Sequence, residues 1–154
     1  MEKILSQLLA EERELQFSCF NEHTAFSIGT MLYESAQKEN HSIVIDISFG
    51  GRQLFYVALP GTTVDNEKWV ERKKRVVSRF GHSSYYMGQY LQSIGKTIEE
   101  KYYIRESEYA VHGGCFPIIL KDSGPLGTIT VSGLPQEEDH KLVVRVLRKF
   151  LEKI

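Results

Sequence analysis

Apolar residues recur at helical spacing near both ends of the chain and alternate with polar ones in its middle. In residues 2–16, Ile4, Leu5, Leu8 and Leu9 share one stripe while Glu11, Glu12 and Arg13 point outward, which predicts a first helix. Asn21 is a plausible cap for a second, with Ala25, Ile28, Leu32 and Ala36 on its apolar face. The period then changes. Residues 42–49 and 53–59 read as two β-rich runs around "GGR", where Gly50 and Gly51 can take the positive φ of a hairpin turn. Pro60–Gly61 ends the hairpin, and "TTVDN" offers caps for a third helix over residues 66–80. "HSSYYMGQYLQSIGKTIEEKYY" continues as helix in two pieces broken near Gly95. Strands are expected at residues 108–112 and 115–120, followed by a turn at "KDSGPLG" and a last strand along "TITVSG". The final helix carries Glu137, Glu138 and Asp139 in its first turn and Arg145, Arg148, Lys149 and Lys153 toward its end, complementing the helix dipole. Its buried stripe is Leu142, Val143, Val146, Leu147 and Phe150. The order predicts an α+β fold, with one antiparallel sheet of about five strands and helices packed against it.

A chain of 154 residues is one domain by expectation, with a core that needs neither disulfides nor metal. Nineteen basic residues against 20 acidic ones give a net charge of −1, which argues against a nucleic-acid binder. Cys19 and Cys115 stand far apart without CxxC spacing, so a reducing compartment is expected. The opening "MEKILSQLLAEERELQ" mixes charge into its apolar pattern and reads as neither a signal peptide nor a membrane span. A soluble cytoplasmic protein with no membrane partner is the expectation.

Candidate chemistry is sparse. GxSxG, HExxH, Walker, GxGxxG and CxxCH patterns are all missing, and no cluster has structural-zinc spacing, so no metal is expected. The third helix is more informative, because Trp69, Arg72, Lys73, Val76, Val77 and Phe80 fall on one stripe while Lys74 and Arg75 lie elsewhere. Two cations beside an apolar face can snorkel to solvent, pair inside the protein or across a subunit boundary, or meet a ligand carboxylate. In "VHGGCFPIIL", Gly113 and Gly114 allow close backbone approach or a bulge. His112 is the one candidate acid/base or axial ligand there, without an identifiable partner. Cys115 reads as an inert buried thiol. His82 suits a helix terminus, and His140, beside Asp139, is expected at the surface.

"PGTTVDNEKWVERKKRVV", "FGHSS", "HGGCFPI" and "GTITVSGLPQEEDHKLVV", taken together, resemble a family within the haem-degrading HbpS/GlcG-like superfamily. The resemblance spans nearly the whole chain, most sharply residues 44–145. It implies a profilin-like domain, an antiparallel sheet with helices around it, assembling into homo-oligomers that are dimers or larger rings. It also implies haem binding or slow haem degradation in some members, and related domains accompany glycolate or propanediol metabolism. The glycine–proline element of the superfamily corresponds to Gly113, Gly114, Phe116, Pro117 and Ile118. Its "G-x-I-x-V-S-G…D" element corresponds to Gly127, Ile129, Val131, Ser132, Gly133 and Asp139, and its basic helix to Arg72 and Lys73. Where many relatives carry an arginine and "DGA" after the second strand, this chain has "LPGTTVDN", so haem chemistry does not transfer by name.

The leading expectation is an oligomeric binding protein with a pocket between the third helix and the "HGG" strand. Arg72, Lys73 and the Gly113 and Gly114 amides would receive a carboxylate or other small anion, with His112 alongside and apolar contact from Trp69 and Phe116. A haem, through its propionates, or a small organic acid would satisfy that chemistry. An enzyme using His112 as acid/base or breaking down haem, and an oligomeric scaffold without a site, are the alternatives.

Overall fold

The computed structural model describes residues 1–153. Among them, the first helix, α1, is Glu2–Glu14 and α2 is Glu22–Lys38. Asn21 opens α2 as expected: its side chain accepts from the Thr24 amide at 3.1 Å while the Thr24 hydroxyl accepts from the Asn21 amide at 3.2 Å. Caps of this kind contribute about 1 kcal/mol. Ala25, Ile28, Leu32 and Ala36 are all fully buried, so the stripe read from the sequence is the face that meets the sheet. Gly29 lies on that face because a Cβ would strike the ring of Phe55 on the sheet below.

The hairpin is β1, Val44–Phe49, and β2, Arg52–Ala58. Its two-residue turn uses Gly50 at φ 60° and Gly51 at φ 78°, the pair of positive dihedrals that matches the twist of the flanking strands. Then follow α3 (Val64–Phe80), α4 (Ser84–Ser93), α5 (Ile98–Tyr102), β3 (Cys115–Leu120), β4 (Gly124–Ser132) and α6 (Gln136–Glu152). The strands form one antiparallel sheet in the order β2-β1-β4-β3.

Alternation divides the sheet into two unlike faces. Ile45, Ile47, Phe116, Ile118, Ile129 and Val131 join the core formed with α2 and α6. The opposite face, under α3, carries Asp46, Ser48, Thr128, Thr130 and Ser132, all buried. A buried polar face needs partners from the element above it, and α3 brings lysines.

Among the described residues, the sheet has four strands rather than about five. Residues 108–112, expected as strand, run as turn and irregular chain across α3 instead. The amides of Glu108 and Tyr109 return to the Arg105 carbonyl at 3.0 and 3.1 Å, and Ala110 N–H donates to the Arg72 carbonyl at 3.1 Å. Arg72 Nε and Arg75 Nη1 donate to the carbonyls of Glu106 and Glu108, each at 3.1 Å. These carbonyls find their donors on α3, so the segment needs no ladder partner.

His140 also departs from expectation, at 3% exposure rather than on the surface. The first helix covers it, and Glu11 Oε1 lies 2.9 Å from its Nε2. Glu12 lies beside the α3–α4 turn, accepting from the Ser83 amide at 3.0 Å and pairing with His82 Nδ1 at 2.7 Å. Glu14 pairs with Arg148 at 2.9 Å. Contacts from Glu11, Glu12 and Glu14 thus hold α1 over α4 and α6. His82 does not cap α3; that position belongs to Gly81 at φ 73°, whose amide returns to Val77.

Candidate functional site

Helix α3 begins at Thr63, whose amide donates to Asn66 Oδ1 at 2.9 Å, and this fixes the rotation of the first turns. Two turns beyond Asn66, Lys73 points at the end of β4 and is only 2% exposed. Its ammonium donates to the Val131 carbonyl and to Asp139 Oδ2, both at 3.1 Å. The other carboxylate oxygen of Asp139 accepts from the Leu134 amide at 3.0 Å. The cation on the apolar stripe is therefore answered inside the chain. Burial pushes the Asp139 carboxyl up to about 6, against the pull of Lys73. Burial likewise holds the Lys73 ammonium below the ordinary lysine range, against the attraction of Asp139. Desolvation thus draws the proton affinities of the two groups together across 3.1 Å.

The "HGG" glycines explain themselves in this setting. Gly114 has φ 138°, and a Cβ there would run into the Val131 carbonyl oxygen and lie 2.7 Å from Lys73 Nζ. The missing side chain makes room for the ammonium. Gly113 N–H donates to Gln136 Oε1 at 2.9 Å, and a Cβ on it would meet the Gln136 carbonyl. The close approach these glycines allow is to β4 and α6 of the same chain.

A cavity of about 210 Å³ opens beside Lys73, between α3, His112 and the start of α6. Trp69, His112, Ser132, Gln136 and Asp139 share its wall. His112 packs edge-on against Trp69 with centroids 5.1 Å apart. Burial, then the charges of Lys73 and Arg72, hold its imidazole below the ordinary histidine range, so it is neutral at pH 7. The wall thus offers a buried ammonium, a neutral imidazole, a hydroxyl and an indole around a small space.

The structure brings Trp69, Lys73 and His112 to that cavity and sets Gly113 and Gly114 behind it. Arg72 and Phe116 belong elsewhere. The Arg72 guanidinium lies over the Trp69 ring, 4.6 Å from its centroid, and is held by the Glu106 carbonyl. Phe116 is 1% exposed in the core on the opposite sheet face, so it offers no apolar contact to the cavity. Gln136 escaped the reading of motifs, and Ser132 entered it only within the superfamily's "G-x-I-x-V-S-G…D" element, without a place in the pocket. Ser132 was legible, because "TITVS" alternates and puts it on the same face as Thr128 and Thr130. Gln136 reaches the cavity only through the β4–α6 turn, which no local pattern marks.

Lys74, expected to lie away from the packed face, is the second cation beneath α3. Its ammonium lies 3.1 Å from Asp46 Oδ1 and donates to Ser48 Oγ at 2.9 Å, while Gln53 Nε2 holds Asp46 Oδ2 at 2.7 Å. Cys115 is fully buried among these groups. Burial pushes its thiol up to about 12, and its sulfur accepts from the Thr130 hydroxyl at 3.1 Å, so Cys115 is not a nucleophile.

Residues 20–148 match the family described as haem degrading protein HbpS-like. The chain belongs to the HbpS-like family. Relatives include a UPF0303 protein of Serratia proteamaculans, 46% identical over 147 residues, which cover 96% of this chain and 91% of the relative. Another, from Streptomyces avermitilis, is 44% identical over 149 residues, or 97% of this chain and 91% of that one. Among solved structures, the Ybr137w protein is 37% identical with a TM-score of 0.90, over 97% of this chain and 88% of that one. More distant HbpS-like folds include HbpS itself, at 17% identity and a TM-score of 0.67 over 88% and 92% of the two chains. The PduOC:Heme complex follows at 15% and 0.69, over 84% and 94%. These last two share the fold. Among the described residues, no helix of this HbpS-like chain is long and apolar enough to cross a membrane.

Proposed function

We propose that this protein binds a small organic acid in the cavity beside Lys73, with no more than a few carbons in the ligand. The observation that carries the reading is a buried ammonium with two of its three hydrogens held by the protein and a cavity at its side. The ligand carboxylate would take the remaining donor, with Ser132 and neutral His112 serving hydroxyl or carbonyl oxygens and Trp69 covering the carbon skeleton. At about 30 Å³ per water, the cavity equals roughly seven waters, a volume suited to a three-carbon acid. Thermal melting in a series of small hydroxy and oxo acids tests this: the melting temperature should climb with concentration for at least one. A flat response across the series would count against binding.

The family description and the haem named in the PduOC complex favour a second reading, in which the ligand is haem. The cavity of a single chain is below the roughly 300–1,000 Å³ that encloses a drug-sized molecule, so it does not fit a buried macrocycle. A haem would have to lie across the cavity mouth, for which a homo-oligomer of this chain offers a second wall. Titration with haemin, followed in the Soret band and by native mass spectrometry, separates this from acid binding. Saturable Soret change with one haem per subunit or pair would favour haem; an unshifted band would exclude it.

A further inference from the structure

The cavity places a lysine where it can do more than bind. Three arrangements bear on this, and the case rests on the acid-binding reading above. Lys73 is enclosed to 2% exposure yet borders the cavity. Its nitrogen is 3.1 Å from a carboxylate that has no other cation against it among the described residues. Apart from Asp139, the other residues of the wall, among them His112, Trp69, Ser132 and Gln136, carry no charge, so no second positive charge in the wall competes for a substrate oxygen. A desolvated lysine next to a proton acceptor is the arrangement that turns an ammonium into a nucleophilic amine.

We propose that Lys73 captures small oxo acids in this cavity as a protonated imine, with Asp139 as its proton partner. The substrate class is an α-oxo acid of two or three carbons. Its carboxylate is placed by the polar wall, and its carbonyl carbon faces Lys73 Nζ. The ammonium first passes a proton to Asp139, leaving an amine and a carboxylic acid. The nitrogen lone pair forms the C–N bond as the carbonyl π electrons move to oxygen, and a proton moves from nitrogen to that oxygen to give the carbinolamine. Asp139 then returns its proton to the hydroxyl, which leaves as water while the nitrogen lone pair closes the C=N bond. The product is an iminium beside a carboxylate, the charge state of the starting pair, and neither oxidant nor reductant is consumed. The iminium keeps one N–H for Asp139, so the Val131 carbonyl loses its donor. That loss makes the capture reversible and calls for trapping. Both directions of shift at Lys73 and Asp139 favour the neutral intermediate pair.

Pyruvate with sodium cyanoborohydride provides the test, with lactate as a competitor of the same size that lacks the electrophilic carbonyl. Peptide mapping should find the reduced adduct on Lys73 several-fold ahead of exposed lysines such as Lys68 and Lys141, whose side chains are 64% and 57% exposed. Lactate should suppress labelling at Lys73 alone, and Asp139→Asn, which keeps the lysine and the local shape, should slow it at least tenfold. Labelling that follows exposure and spares Lys73, in protein still stabilised by lactate, would overturn the imine and leave acid binding standing. Labelling that spares Lys73 with no stabilisation by either acid would remove both. Capture at Lys73 by Asp139→Asn at the wild-type rate would remove Asp139 from the chemistry.

Discussion

A lysine ammonium at 2% exposure is stable only because Asp139 and the Val131 carbonyl face it, and the size of that dependence is measurable. Lys73→Met leaves the Asp139 carboxylate buried without its cation and should cost about 3–5 kcal/mol in urea denaturation. Adding Asp139→Asn removes the stranded charge while keeping an acceptor for the Leu134 amide, and should recover most of the loss. Gly114→Ala should be costly for a different reason. It places an alanine at φ 138° and drives its methyl group toward the Val131 carbonyl and the Lys73 ammonium. Backbone strain alone contributes about 1–3 kcal/mol, with the steric cost added to it. At this scale the sequence was partly readable. The third-helix spacing put Lys73 on the packed face, and the "G…D" element of the superfamily contained its partner, but the two lie 66 positions apart and nothing local couples them. The same spacing could not tell Lys73 from Arg72. Only the chain crossing above α3 does that, by giving Arg72 the Glu106 carbonyl.

At the scale of elements, the first helix rests on carboxylates, and the partner of Glu12 is the histidine His82. The hydrogen bond that its Nδ1 donates to Glu12, opposed by burial, raises the His82 imidazole above its ordinary 6.5. A histidine raised on folding binds its proton more tightly in the native state. Its contribution is complete below pH 6.5 and disappears as pH rises through the folded-state value. The melting-temperature gap between wild type and His82→Asn should therefore be wider near pH ~5.5 than near pH ~9. A gap independent of pH would mean that His82 acts by packing against Tyr86, 4.9 Å away, rather than by charge. The segment expected as a fifth strand makes a second case. With Arg72 and Arg75 both changed to Gln, residues 105–111 lose the side-chain donors that satisfy their carbonyls. Hydrogen exchange there should quicken while β1 and β4 stay protected. The run "EYAVH" has the composition of a strand, and what overrides that composition is a tertiary contact with the guanidinium groups of α3. Helices α2 and α6 were legible for the opposite reason: a cap agreed with an apolar stripe in α2, and dipole charges agreed with an apolar stripe in α6.

Across the whole molecule, the two sheet faces do different jobs. One closes an apolar core with α2 and α6, and the other supports a polar layer in which Lys73 and Lys74 are held by Asp139 and Asp46. The alternation that generates both faces is plain in "VIDISF" and "TITVS". It marks a polar face without saying whether helix or water covers it, and that depended on where α3 docks. The homo-oligomer that the family resemblance implies is a prediction at this scale, and native mass spectrometry should report a dimer or larger ring. The central claim is occupancy of the cavity beside Lys73, and the chain carries its own reporter there. Trp69 is the single tryptophan and forms part of the cavity wall. Titration of the wild-type protein with lactate and pyruvate, followed by Trp69 fluorescence, should give a saturable change with one site per chain. A spectrum unaltered by either acid, up to concentrations at which solvent effects begin, would contradict the account.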